Sequence, residues 1–151
     1  MQVDDPKHFF KNFPRLTPQK VKVTSQATYV YNCIAWAAGQ NGRWWWPSTM
    51  TFWPRGVPMA DTEEAFIQAF GTLGYSPCMN PAQEDGQEKV ALYALGGHIT
   101  HAARQLPNGS WTSKIGRNVD IEHELSDLEG PCYGKVLSFL SRVILPSTPS
   151  A

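Results

Sequence analysis

The chain is short of charge. Charged residues make up 17% of its 151 positions, against ~25% in an ordinary soluble domain. Lys plus Arg number 13 and Asp plus Glu number 13, so the formal net charge is zero. That balance excludes a protein held on nucleic acid by phosphate contacts, which need an excess of cations. Long hydrophobic runs are missing too, so no membrane span and no membrane partner is expected. Residues 1–6 lack the basic stretch and apolar run of a signal peptide, which predicts a cytoplasmic protein. Delivery as a secreted effector stays compatible with that reading.

Cysteine is scarce. Cys33, Cys78 and Cys132 are odd in number and far apart, which is no disulfide framework and predicts reduced thiols. The histidines are His8, His98, His101 and His123, with no Cys-x2-Cys or His-Glu-x-x-His spacing. No metal is therefore expected. A phosphate-cradling glycine loop is absent, and with it any reason to expect a nucleotide cofactor.

Aromatic residues are plentiful: 6 Trp, 5 Tyr and 7 Phe. Together with the low charge they exclude intrinsic disorder. The length predicts one domain over 1–145. A disordered Ser/Pro tail follows at 146–151. Prolines 6, 14 and 18 make the lead-in irregular, with a short strand at 21–24. Asn32 is a good N-cap for a short apolar helix over 33–38 that ends at Gly39. Residues 40–60 carry Pro and Gly at loop density. Asp61 and Glu64 resemble a capping box for a helix through Leu73. Strands follow at 89–95, 98–106 and 111–115, the last two joined by the hairpin signal Asn108-Gly109. Asp120 can cap a short helix containing Ile121, Leu125 and Leu128, and 133–145 reads as a final strand. Two helices and then an antiparallel sheet make an α+β layout.

Cys33 is the first candidate for chemistry. A helix N-terminus carries partial positive charge, which favours a thiolate. The Cys33 N–H, unused by the helix ladder, is placed to stabilise an oxyanion. A thiol nucleophile needs a base, and His98 and His101 are the candidates. Three apart on a strand, they face opposite sides, so they do not share a site. His101, followed by the small Ala102-Ala103, is favoured. A third group usually orients the histidine. A two-residue hairpin puts Thr112 and Lys114 on the His101 face, whereas one bulge residue puts Ser113 there. Asp120, just past the return strand, also reaches back, and the choice between Ser113 and Asp120 stays open. Trp44, Trp45, Trp46 and Trp53 follow the nucleophile helix and are candidates to wall a substrate groove.

The segments Tyr31 to Ala37, His101-Ala102-Ala103, Gly109 to Trp111, Ser113 to Gly116, His123 and Tyr133-Gly134 resemble a group of bacterial domains. That group is similar to the papain-like cysteine hydrolases, including NlpC/P60-type peptidases. The ordered pattern covers residues 28–143. The resemblance implies a papain-like fold, with N-terminal helices packed on the sheet. It implies Cys33 as nucleophile and His101 as base. An NlpC/P60-type spacing places the third residue near Ser113, and a papain-type arrangement leaves Asp120 open. The papain oxyanion glutamine stands six before the cysteine, whereas Gln26 stands seven before Cys33, so that role is not carried over. The expected activity is peptidase- or amidase-type hydrolysis, or a related acyl transfer, on a peptide or other amide-containing substrate. The rival expectation is a non-catalytic module that binds peptide or glycan through the Trp loop.

Overall fold

A computed structural model describes residues 13–17, 22–115 and 119–144. The expected tail at 146–151 lies outside these residues, as does most of the lead-in. The elements in order are β1 (Lys22–Ser25), α1 (Cys33–Ala37), α2 (Glu63–Gly71), β2 (Ser76–Cys78), β3 (Gln87–Leu95), β4 (His98–Gln105), β5 (Trp111–Lys114), β6 (Asp120–His123), a 3-10 turn (Leu125–Leu128) and β7 (Lys135–Val143). The strands form one sheet in the order β1-β6-β5-β4-β3-β7-β2, and every pairing is antiparallel.

This corrects the α+β, papain-like expectation. Among the described residues the structure is sheet-dominated, with seven strands against two short helices. A strand, β1, precedes α1 and α2 and closes one edge of the sheet on β6. The helix expected from Asp120 is instead β6 followed by the 3-10 turn. Ile121, Leu125 and Leu128 have helical spacing, but pairing with both β1 and β5 captures the first part of that segment. Tertiary pairing overrides the local period here. Thr62, not Asp61, caps α2, accepting from the Ala65 N–H at 3.2 Å.

Strand alternation divides the core in two. On one side Val90, Leu92, Ala102 and Leu140 pack beneath α1, α2 and the loop between them. Phe66, fully buried, meets Trp53 at a tilt and Trp46 edgewise, at centroid distances of 5.0 and 5.6 Å. On the other side Ala91, Tyr93, Ala103, Trp111 and Ile121 pack with Phe13 and Leu128. α1 is pinned to the first side by the Trp36 indole N–H, which donates to Thr112 Oγ1 at 3.0 Å.

Candidate active site

Cys33 opens α1. Asn32 holds that start rigid: its Oδ1 accepts from the N–H groups of Ala35 and Trp45, and its amide donates to the Trp45 carbonyl. One side chain therefore caps the helix and fastens the Trp loop to it. Burial pushes the Cys33 thiol up to about 11. The backbone N–H groups of Ala102, Ile34 and Cys33 itself, and then the Lys114 ammonium, oppose that rise. The sulfur thus sits between the first turn of α1 and the β4 backbone immediately after His101.

The β4–β5 hairpin decides what accompanies His101. Gln105 pairs with Trp111 and Arg104 with Thr112. Leu106 and Ser110 close the loop, with Gly109 at φ 91°. A three-residue loop with a glycine bulge replaces a two-residue turn. That shift brings Ser113, rather than Thr112 or Lys114, onto the His101 face. His101 Nε2 lies 2.9 Å from Ser113 Oγ, and His123 Nε2 approaches the same oxygen at 2.7 Å. The far nitrogen of His123, Nδ1, is 2.8 Å from the Glu124 carbonyl. Tyr133 stacks flat on the His101 ring, 4.1 Å between centroids and 11° between planes. Burial holds His101 well below the usual histidine range, and the neighbouring His123 pushes the same way. Burial likewise takes His123 down to about 4, against the pull of the Glu124 carbonyl, Asp127 and Glu122. His101 Nδ1 is buried and has no hydrogen-bond partner among the described residues, Cys33 included.

Asp120 belongs elsewhere. Its Oδ2 accepts from the Tyr31 hydroxyl at 2.5 Å and from Ser25, and it pairs across strands with Lys114. This cluster occupies the helix-facing side, opposite Ser113 by alternation. His98 is exposed and pairs with Asp61 at 2.9 Å, so it does not join His101. The Trp loop divides as well. Trp45 (2% exposed) and Trp53 (9%) are core, which corrects their placement in a groove. Trp44 and Trp46 do line a cleft of about 360 Å³ beside Cys33, with Asn32, Thr51, Thr100 and Tyr133.

With this geometry in hand, a family model matches residues 22–141. The chain belongs to the Domain of unknown function (DUF7689) family. No curated protein and no solved structure matches the chain. The DUF7689 span runs from β1 into β7 and contains Cys33, His101, Ser113, His123 and Tyr133. Kinship with papain-like or NlpC/P60-type hydrolases therefore rests on the quoted segments alone.

Two residues of the site escaped the list of candidates. His123 and Tyr133 stood among the family-like segments, but nothing local gave either a role. His123 reaches Ser113 only because Trp111 pairs with His123 and Ser113 with Ile121. Tyr133 reaches His101 because the Thr100 hydroxyl donates to its carbonyl at 2.6 Å and Gly134 packs on the β3 backbone.

Proposed function

We propose that the chain is a cysteine hydrolase of the peptidase or amidase kind, working by acyl transfer through Cys33 and His101. The observation that carries the reading is a buried imidazole held through Nε2, with Nδ1 left over, one residue before Ala102, whose backbone N–H is directed at the Cys33 sulfur at a helix start. A buried nitrogen with no partner is costly, and a free lone pair is what a general base needs to take a proton. Both groups rest neutral, because burial raises the thiol and lowers the imidazole. A peptide or other amide-containing substrate would enter between Trp44, Trp46 and Tyr133. The Cys33 sulfur would attack the acyl carbon as Nδ1 of His101 takes the thiol proton. The Cys33 N–H would meet the oxyanion. The His101 proton would pass to the leaving amine, and water would then resolve the thioester. All three cysteines are free, which suits a reducing space, and the cytoplasm is our proposed location.

One observation favours a second reading, a non-catalytic binding cleft for peptide or glycan: the thiol pushed up to about 11 is a poor resting nucleophile. Acylation by p-nitrophenyl acetate at pH 7.5, read as a p-nitrophenol burst and mapped by mass spectrometry, separates the two. The hydrolase reading expects Cys33 to be acylated ahead of the exposed Cys132 and of Cys78. His101→Ala should slow that step by roughly 100-fold or more, the usual contribution of a general base. Acylation of Cys132 or Cys78 first, or a rate indifferent to His101→Ala in a folded variant, rejects the hydrolase.

A further inference from the structure

We propose that His123 is a positioning residue that fixes, through Ser113, which nitrogen of His101 carries the proton. The proposal rests on the hydrolase reading for its purpose, though its geometry does not. The Glu124 carbonyl can only accept. His123 Nδ1, 2.8 Å away, must therefore carry hydrogen. A neutral imidazole has one N–H, so His123 Nε2 is an acceptor. Burial keeps His123 neutral at ordinary pH. The group 2.7 Å from that Nε2 is the Ser113 hydroxyl, which must donate to it. A hydroxyl has a single hydrogen, so toward His101 Nε2, at 2.9 Å, Ser113 Oγ can only accept. His101 Nε2 therefore carries the proton, and Nδ1 keeps its lone pair.

Each link is held in place by the fold. The Glu124 carbonyl is fixed because Glu124 caps the 3-10 turn, its N–H donating to Asp127 Oδ2 at 2.9 Å. His123 and Ser113 share a sheet face through the β5–β6 register. Tyr133 holds the His101 plane by stacking. Protonating His101 at Nδ1 leaves the relay unchanged, since Nε2–H goes on donating to Ser113. Without His123 the Ser113 hydroxyl is free to rotate and donate to His101 Nε2, which moves the proton to Nδ1 and removes the base.

The test is nitrogen-15 NMR of the histidine rings in the full chain at pH 7.5. Wild-type protein should show His101 as a single tautomer protonated at Nε2. His123→Phe, which fills the space but accepts no hydrogen bond, should give a mixture of His101 tautomers. In the same variant acylation of Cys33 by p-nitrophenyl acetate should slow by about 10-fold, within the range of a general base, with half-saturation unchanged. Wild-type His101 protonated at Nδ1 overturns the proposal without any variant, as does one unaltered tautomer in folded His123→Phe. If the tautomer shifts as expected while Cys33 is never acylated, the positioning role stands and the hydrolase reading falls.

Discussion

Gly134→Ala is expected to destabilise the protein by at least about 3 kcal/mol, well beyond the common cost of a glycine substitution. Two effects combine. Gly134 has φ of 77°, a left-handed conformation that costs a residue with a Cβ about 1 kcal/mol. A Cβ there would also stand 1.9 Å from the Ala94 carbonyl oxygen and 2.8 Å from its carbon. The obstacle is the backbone of β3, paired on both sides by β4 and β7, so it has little freedom to yield. The Gly130–Gly134 pair, joined by hydrogen bonds of 2.9 and 2.8 Å, would have to open. Tyr133 would be dragged from the His101 ring. At roughly 2–4 °C per kcal/mol for a domain of this size, the thermal midpoint should fall by about 6–12 °C. Gly97→Ala is the control. Its φ is 84°, but no atom lies within 4 Å of the added Cβ, so only the ~1 kcal/mol strain applies. Calorimetry of both variants checks this. Equal losses at the two positions would show that the contact with Ala94 is unimportant.

The second large effect is acid destabilisation. His123 is buried and its pKa is taken down to about 4, from ~6.5 when unfolded. As pH falls, the unfolded chain binds this proton first, so stability must fall with it. The contribution is complete above ~6.5 and is lost progressively down to about 4. Over that window His123 alone should cost about 3 kcal/mol. Asp127 and Glu122, the acidic groups facing His123, favour its charged form, and burial outweighs them. His101 is displaced in the same direction and adds to the loss. Urea titrations at pH 7.5 and 4.5 should show a clearly lower midpoint in acid. His123→Phe should be less stable at pH 7.5 yet lose less on acidification. A wild-type stability that stays flat between these pH values would mean that the imidazole reaches solvent.

Much of the site was legible because it rests on local chemistry. Asn32 before an apolar run implied a capped helix, and the helix places Cys33 at its start. His101 stood out because small residues follow it. Ser113 follows from one outcome of a register that the residues left open and from the NlpC/P60-type spacing, with Asp120 as the alternative. Asn108-Gly109 reads as a two-residue turn, and the choice of a three-residue loop belongs to the paired strands. The tryptophans could not be sorted from sequence, since Trp45 and Trp46 are neighbours and one is core while the other lines the cleft.

The sequence by itself determined a low-charge, aromatic chain, a capped cysteine and a run of strands. These follow from side-chain chemistry and short spacings, which act within one or two turns of chain. The tertiary structure decided that the sheet dominates, because the segment after Asp120 gains more from pairing on two edges than from helical spacing. It also decided that His123 meets Ser113 and Tyr133 meets His101, because residues 10 and 32 positions apart touch only when strand register and a glycine contact bring them together.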